Sequence, residues 1–313
     1  MTILITGIYG FIGSHLVKFL RQEYTIYGVD IIEMAMDGVE KSYRWDELRS
    51  IPPVDAIIHL AGKAGDVKNQ RDTKEYFDVN TGLTQKIFDY FLDSKAKQFI
   101  FFSSVKAAAD IVEGEFLSEE VTPKPIGPYG ESKMLAENYI LDTFSNFNSK
   151  VLSTKSVYIL RACLIYGSGN KGNLNLLYKV IKRGIPYPFG AFDNRRSFVS
   201  IDNVLFVIEH LLSTKIESGI YNIADDETVS TSDLVRIISK GMNRPAIIWN
   251  WPPWIIKSLA KLGGILHLPI NGGRLQKLTE NYVVSNKKIK AALNIEKMPV
   301  SIHDGFNQIS QSL

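Results

Sequence analysis

The first fifteen residues of the chain read Met1-Thr-Ile-Leu-Ile-Thr-Gly7-Ile-Tyr-Gly10-Phe-Ile-Gly13-Ser-His15. The apolar, β-branched run before the first glycine predicts a buried strand. Three glycines follow at intervals of three residues, and the apolar spacing after the third predicts a helix. Strand, glycine-rich turn and helix in this order are typical of dinucleotide-binding proteins.

Each glycine has a physical role in such a turn. Gly7 permits a tight turn, Gly10 lets the backbone approach a pyrophosphate, and Gly13 allows the helix to pack close to the strand. The helix N-terminus offers N–H groups and a positive dipole end to phosphates. The spacing G-x-x-G-x-x-G differs from G-x-G-x-x-G, so the motif alone leaves a ligand-free glycine turn as the alternative.

Asp30 is a second feature that indicates dinucleotide binding at this turn. It ends the predicted strand 25–30, about twenty residues past the glycines, where a carboxylate binds ribose hydroxyls. No Arg directly follows Asp30 to receive a 2′-phosphate, which favours NAD over NADP. The alternative interpretation is an ordinary turn residue after a strand.

Strands alternate with helices over the first half of the chain. This alternation predicts an α/β fold, a Rossmann-like doubly wound parallel sheet with a smaller C-terminal substrate-binding lobe. We expect a cofactor domain over residues 1–166 and a substrate lobe over 167–313, with segments of about 199–224 returning to the main sheet. The predicted strands are 2–6, 25–30, 56–60, 98–103 and 157–161, and the predicted helices between them are 14–22, 78–93 and 132–144.

Composition excludes several classes of protein. The net charge of +3 and the lack of a basic, aromatic patch argue against nucleic-acid binding. Cys163 is the single cysteine, so no intrachain disulfide forms, and its apolar strand predicts a core position. We expect no metal site, no signal peptide before the first strand and no membrane span, and therefore a cytoplasmic protein.

Tyr129-Gly-Glu-Ser-Lys133 follows a proline-rich loop and begins a helix. Residues four apart share a helix face, so Tyr129 and Lys133 are neighbours. A free Tyr has a pKa of about 10. We expect the Lys133 ammonium and an oxidised nicotinamide to lower the pKa of Tyr129 and make it an acid/base group. A Y-x-x-x-K pattern alone also occurs by chance in helices.

Ser103-Ser104 ends the predicted strand 98–103. Ligands bind at the carboxyl ends of parallel strands, so a hydroxyl here is placed to orient a substrate oxygen. Capping of the strand end is the alternative role for either Ser. The glycine turn, Asp30, the strand-end Ser and the Tyr/Lys pair together form a much more specific pattern than any one of them.

These motifs resemble those of extended short-chain dehydrogenases/reductases of the nucleotide-sugar epimerase/dehydratase family, over nearly the whole chain. The resemblance implies Ser104, Tyr129 and Lys133 as catalytic residues, and a homodimer. His59-Leu-Ala-Gly62 and Asn80 match the family's third-strand motif and its supporting Asn. The implied cofactor-binding residues are Gly7, Gly10, Phe11, Ile12, Gly13, Asp30, Ile31, Leu60, Ala61, Gly62, Asn80, Tyr129 and Lys133.

The C-terminal half carries the substrate end of this resemblance. Arg195-Arg196-Ser-Phe-Val is similar to a family motif whose Arg binds the nucleotide diphosphate, which implies that role for Arg196. A guanidinium suits it because it forms bidentate bonds with phosphate. The resemblance also implies Asn173 at uridine diphosphate, and Arg274 as a second diphosphate ligand, with surface charge as an equal alternative for Arg274.

The two residues after Ser104, Val105 and Lys106, help to decide which of the family's reactions this chain catalyses. The 4,6-dehydratase branch of the family has Asp-Glu directly after its Ser/Thr, so Val105-Lys106 disfavours dehydration. The surrounding motifs are more similar to a bacterial polysaccharide branch with 4-epimerases and 4-keto reductases of UDP-N-acetylated hexoses. Three hypotheses follow: a UDP-sugar 4-epimerase with resident NAD, a UDP-4-keto-6-deoxy-N-acetylhexosamine 4-reductase, and a non-catalytic NAD-binding scaffold.

Trp249-Asn-Trp251-Pro-Pro-Trp254 begins an apolar, aromatic segment that continues to Ile270. One interpretation is contact with a membrane surface or a partner. A helix that packs between lobes and leaves a few aromatic side chains exposed is the interpretation we favour at this stage.

Overall fold

The computed structural model describes residues 1–64, 73–147, 154–170, 174–256, 258, 275 and 279–311. Its centre is a seven-stranded sheet in which every neighbouring pair of strands is parallel. The predicted Rossmann-like α/β fold is confirmed. The strands of this sheet are β1 Thr2–Thr6, β2 Thr25–Asp30, β3 Lys41–Arg44, β4 Ala56–His59, β5 Gln98–Ser104, β6 Ser156–Ala162 and β9 Gly219–Ile223. They lie side by side in the order β3-β2-β1-β4-β5-β6-β9.

Helices cover both faces of the sheet. A π-helical segment, Phe77–Gly82, joins α2 to α3 without a break. The helices are α1 Phe11–Leu20, α2 Thr73–Tyr76, α3 Leu83–Asp93, α4 Pro128–Ser145, α5 Leu174–Lys182, α6 Ile201–Ser213, α7 Thr231–Gly241, α8 Lys287–Leu293 and α9 Ile302–Gln311.

The apolar strands have a core on each side. Successive side chains of a strand point to opposite faces. Ile3 and Ile5 accordingly pack in a cluster with α1 and α6, whereas Leu4 packs in a second cluster with α3 and β5. Burial on both faces explains why these strands are apolar throughout and do not alternate with polar residues.

The C-terminal lobe has its own small sheet, β10-β8-β7, built from β7 Leu164–Tyr166, β8 Arg196–Ser200 and β10 Thr228–Val229. Its core is rich in aromatic side chains, with the rings of Tyr166 and Phe306 stacked at 3.9 Å between centroids. Between β8 and β10 the chain enters the main sheet as β9, which pairs with β6. The two sheets are therefore interleaved along the chain.

Asp225 lies buried where the chain passes from one sheet to the other. One carboxylate oxygen accepts hydrogen bonds from the Ser200 backbone N–H (3.0 Å) and the Asn203 amide (2.7 Å). The Tyr166 hydroxyl donates to the other oxygen at 2.7 Å. Burial raises the pKa of Asp225 to about 6 despite these three donors. The Asp225 carboxylate therefore holds β7, β8 and α6 together. Burying its charge costs free energy, and because the group is charged only above its pKa, its contribution to stability depends on pH.

Among the described residues, no helix is both long enough and apolar enough to cross a membrane.

The raised pKa of Asp225 predicts a pH-dependent stability. Between about pH 4 and pH 6 the folded protein keeps a proton that the unfolded chain releases, so this residue's contribution is full below about pH 4 and falls as the pH rises through 6. Asp225→Asn has the same shape without the charge. Relative to wild type, its free energy of unfolding should rise by about 2 kcal/mol between pH 4 and pH 7 in urea titrations. An unchanged difference across this range would contradict the argument.

Candidate active site

The glycine turn connects β1 to α1. Gly7 has a left-handed φ of +69°, and its N–H donates to the Val29 carbonyl at 2.8 Å. A Cβ on Gly7 would lie 2.7 Å from the Ala61 backbone nitrogen, and one on Gly13 would lie 2.5 Å from the Ile8 carbonyl oxygen. Both positions therefore exclude every side chain, because the contacts are with backbone atoms that cannot move aside.

Helix α1 begins at Phe11, three residues before its predicted start. The bond from the Ser14 N–H to the Gly10 carbonyl (2.9 Å) closes its first turn. The N–H groups of Phe11, Ile12 and Gly13 have no acceptor within a helix at this position. They form the kind of donor cluster that binds a phosphate at a helix N-terminus.

Asp30 stands at the carboxyl end of β2, beside this turn. The Tyr9 backbone N–H donates to one oxygen of its carboxylate at 3.2 Å, and the Ile31 N–H donates to the other at 2.8 Å. The carboxylate is thus fixed and only partly buried, next to the anion-binding helix end. It is suited to accept hydrogen bonds from a diol.

The end of β4 lies against the same turn. The Leu60 N–H donates to the Thr6 carbonyl at 3.1 Å, and the Ala61 N–H donates to the Thr6 hydroxyl oxygen at 3.2 Å. His59, fully buried beside them, has one ring nitrogen 2.6 Å from the Thr6 hydroxyl and the other 2.8 Å from the Thr84 hydroxyl. Burial lowers the pKa of His59 well below its usual value, so the ring is neutral and structural.

Asn80 connects the β4 loop to the helix that carries the Tyr/Lys pair. Its side-chain oxygen accepts from the Lys63 N–H at 2.7 Å, and its amide donates to the Ser132 hydroxyl at 3.0 Å. Thr81 donates a second bond, to the Ser132 carbonyl, at 2.9 Å. Both residues lie on the π-helical segment, a geometry that is frequent at functional sites.

Helix α4 begins at Pro128, four residues before its predicted start, because proline favours the first helical position. Lys133 is buried and its Nζ donates to the Phe102 carbonyl at 2.9 Å. Burial lowers the pKa of Lys133 to about 8, although Glu137 acts in the opposite direction. A Cβ on Gly62 would lie 3.1 Å from this Nζ, so the β4 loop passes directly over the lysine.

Tyr129 lies one helical turn before Lys133, and its side chain is hydrogen-bonded with that of Ser104 at the end of β5. The structure therefore brings the three predicted catalytic side chains to one place. The pKa of Tyr129 is raised by burial, and the bond with Ser104 only partly offsets this effect. The expectation that Lys133 lowers this pKa is wrong for the protein without cofactor, because burial dominates and the ammonium is directed at the Phe102 carbonyl.

A buried ion pair beneath this site was not foreseen. The Arg161 guanidinium donates from Nε to both oxygens of Glu137 (3.1 Å each) and from Nη2 to one of them (2.6 Å). Ser103 donates a further bond to the Glu137 carboxylate. Two charged residues in otherwise apolar segments were the available signal: Glu137 follows Lys133 by one helical turn, and Arg161 interrupts a buried strand.

Of the substrate residues predicted in the C-terminal half, the structure describes Arg196. It begins β8 and is half-buried, and burial is the main effect that lowers its pKa, with Glu280 and Tyr282 acting against it. It shares its surroundings with Lys106, whose ammonium lies 4.4 Å from the centre of the Tyr282 ring. Asn173 and Arg274 lie outside the described residues.

Residues 3–224 match the profile of the NAD-dependent epimerase/dehydratase family. The chain belongs to this family. It is 29% identical to a UDP-glucose 4-epimerase of Vibrio cholerae over 99% of this chain and 95% of that protein. It is 25% identical to an N-acetyl-α-D-glucosaminyl-diphospho-ditrans,octacis-undecaprenol 4-epimerase of Escherichia coli O157:H7, over 92% of this chain and 84% of that protein.

Among solved structures, MoeE5 in complex with UDP-glucuronic acid and NAD has a TM-score of 0.77. The alignment covers 100% of this chain and 99% of that one, at 21% identity. Such a likeness shows that the two chains share a fold over their full length.

The residues present fit the family's cofactor. Gly7 and Gly13 form a turn that any Cβ would fill, the first turn of α1 presents donors for a pyrophosphate, and the fixed Asp30 carboxylate matches a ribose diol. Lys133 lies under the Gly62 loop, one helical turn after Tyr129. The geometry thus agrees with an NAD-dependent enzyme of this family.

Gly62→Ala tests how closely the β4 loop must approach Lys133. The added Cβ would lie 3.0 Å from the Asn80 side-chain oxygen and 3.1 Å from Nζ of Lys133, so one of these groups must move. We expect about tenfold weaker NAD binding by equilibrium titration, a loss of about 1.4 kcal/mol. Gly82→Ala is the matched control, because its Cβ would meet nothing closer than the Phe77 carbonyl at 3.8 Å. Equal affinities for the two variants would contradict the argument.

Glu137→Gln tests the ion pair beneath the site. The substitution keeps the shape but leaves the Arg161 charge buried without its counter-ion, a loss of about 3–5 kcal/mol in the free energy of unfolding. Exposed Glu113→Gln should stay within about 0.5 kcal/mol of wild type in the same urea titration. The double variant Glu137→Met/Arg161→Met should be more stable than Glu137→Gln; a double variant that is less stable would count against the pair as the cause.

Proposed function

We propose that this protein is a UDP-sugar 4-epimerase that uses NAD and acts on a UDP-N-acetylated hexose. The observation that carries the proposal is the cluster of Tyr129, Ser104 and Lys133 at the carboxyl edge of the main sheet, next to the glycine turn. This cluster combines a proton-transfer group with a hydrogen-bonded hydroxyl and a buried ammonium.

Each residue of the cluster has a distinct role in the proposal. Tyr129 removes the proton of the sugar C4 hydroxyl and later returns it to the epimeric oxygen. Ser104 holds that oxygen in line with the Tyr129 phenol. Lys133, one helical turn after Tyr129 and under the Gly62 loop, would bind the nicotinamide ribose and fix its position. NAD, held by the glycine turn and Asp30, would supply the hydride acceptor and donor for C4.

The loop after Ser104 supports epimerisation over dehydration. A 4,6-dehydration needs an additional acid and base near the sugar, and the residues directly after Ser104 are Val105 and Lys106. The Lys106 backbone N–H donates to the Ser104 hydroxyl oxygen at 3.2 Å, and its ammonium pairs with Asp110 at 3.0 Å. A cation held by Asp110 occupies the position after Ser104 where a dehydratase would need a carboxyl group.

Two considerations support the choice of substrate. Arg196, half-buried at the start of β8, offers a bidentate donor of the kind that binds a diphosphate. The Vibrio cholerae relative is a UDP-glucose 4-epimerase, and the Escherichia coli relative is a 4-epimerase of an N-acetylglucosaminyl diphosphate. A diphosphate-linked sugar epimerised at C4 is common to both, and the motifs similar to the polysaccharide branch favour the N-acetylated hexose.

The proposal is tested with freshly purified protein and UDP-N-acetylglucosamine, without added cofactor. We expect NAD in the nucleotide released by denaturation, and conversion of the sugar to its 4-epimer by chromatography. Tyr129→Phe should bind NAD and UDP as wild type does, with turnover lowered at least about 10²-fold, the scale for a lost acid/base group.

Other outcomes would contradict the proposal. Cofactor-free protein that leaves UDP-N-acetylglucosamine unchanged but oxidises NADH or NADPH with a 4-keto UDP-sugar would indicate a reductase. Turnover unaffected by Tyr129→Phe would exclude this residue as the acid/base group, and bound NAD without any turnover would indicate a scaffold.

A further inference from the structure

Two loops lie side by side at one end of the C-terminal lobe. Helices α5 and α7 pack together, and the segments that follow them pair through backbone hydrogen bonds. The Tyr187 N–H donates to the Ile247 carbonyl and the Trp249 N–H donates to the Tyr187 carbonyl, both at 2.8 Å. The two loops therefore form one surface.

Helices α5 and α7 end in the same backbone conformation. Gly184 and Asn243 have left-handed φ angles of +67° and +51°. The N–H groups of the next residues, Ile185 and Arg244, donate back to the Val180 and Ser239 carbonyls at 3.1 and 2.9 Å. This arrangement satisfies the last carbonyls of a helix and directs the chain away from its axis. The surface is therefore built on fixed turns.

Large apolar side chains on the segments that follow these turns are exposed to solvent. Trp254 is 70% exposed, Ile185 49% and Trp249 47%. The Trp249 and Trp251 rings stack at 5.9 Å between centroids, with an angle of 8° between their planes. We define the tryptophan face as Ile185, Ile247, Trp249, Trp251 and Trp254, all of them exposed.

The chain segments that form this face contain no acidic residue. No Asp or Glu stands between Asp142 and Asp193, or between Asp233 and Glu280, and each stretch has seven Lys and Arg residues. All 33 acidic residues lie elsewhere, although the whole chain has a net charge of only +3. Among the described residues, the exposed basic side chains closest in sequence to the face are Lys179, Lys182, Arg183 and Arg244.

We propose that the tryptophan face binds the surface of a membrane that contains anionic lipid. Trp favours the boundary between hydrocarbon and water, and basic side chains beside it are attracted to anionic headgroups. The exposed Trp side chains fit contact with a membrane surface, since Trp249 and Trp251 lie on the irregular segment after α7 and Trp254 on the short helical segment 253–256 that follows it.

The charge distribution argues against a second copy of this chain as the partner. A two-fold dimer through the tryptophan face would bring Arg183 and Arg244 close to the same basic residues of the other copy, without acidic partners from these segments. Like charges at an interface oppose association. An anionic lipid surface supplies the missing negative charge.

Vesicle binding tests the proposal with the intact protein and without substrate, so its result is independent of the proposed reaction. We expect co-sedimentation with vesicles of equimolar phosphatidylcholine and phosphatidylglycerol, little with phosphatidylcholine alone, and release by salt. Three of the four tryptophans lie on the face, and the fourth, Trp45, packs against His59. Binding should therefore shift the fluorescence to the blue, and brominated lipid should quench it.

Variants assign the binding to this face. Trp249→Ser/Trp254→Ser and Arg183→Ser/Arg244→Ser should each weaken vesicle binding at least about tenfold, because they remove interfacial aromatic rings or attraction to anionic headgroups. Phe116→Ser and Lys86→Ser are the matched controls, since both side chains are exposed away from the face, and they should bind as wild type does.

Three results would overturn the proposal. They are equal binding to both vesicle types, binding that is unchanged in both double variants, and a dimer that the Trp249→Ser/Trp254→Ser variant dissociates in the absence of any lipid binding. A circular dichroism spectrum like that of wild type, required of each variant, excludes unfolding as the reason for lost binding.

Discussion

The buried ion pair of Glu137 and Arg161 is the interaction on which the geometry of the site depends. Both side chains lie inside the protein, where a charge without a partner is strongly destabilising. Glu137 is one helical turn from Lys133, Arg161 is on β6, and Ser103 joins them from the end of β5. The pair therefore determines how α4 sits on the sheet. Because Tyr129 and Lys133 are on that helix, their distances from Ser104 depend on a contact that no substrate touches.

A second set of contacts connects α4 to the loop after β4 and to the glycine turn. Asn80 bonds both the loop after β4 and Ser132, between Tyr129 and Lys133. The same loop packs against Gly7 on one side, where no side chain fits, and against Lys133 on the other, where a Cβ on Gly62 would lie 3.1 Å from the lysine Nζ. Gly7, Gly62 and the Asn80 amide thus fix the distance between the glycine turn and the Tyr129/Lys133 pair.

Much of this arrangement could be predicted from sequence because it is encoded locally. The bounds of β1 and β2 agree with the structure, since a continuous apolar run has one favourable arrangement in a parallel sheet. The sequence predicts that Tyr129 and Lys133 are neighbours because residues four apart share a helix face. It predicts Ser104 at the same site because ligands bind at the carboxyl ends of parallel strands. The Glu137–Arg161 pair and the Asp225 junction join residues 22 to 59 positions apart, and no local pattern predicts such contacts. The pKa of Tyr129 was misjudged for a related reason, because the loss of solvent on burial is a property of the whole fold.

Strand β9 has a consequence for how the protein can be divided. It enters the main sheet only after the chain has already formed β7, β8 and α6, and it covers the outer edge of β6. All seven residues of β6 are buried. A fragment that ended before β9 would expose an apolar strand with unpaired backbone groups, which promotes edge-to-edge aggregation. The nucleotide-binding half is thus completed by a strand from the half that follows it, and the two halves must be produced as one polypeptide.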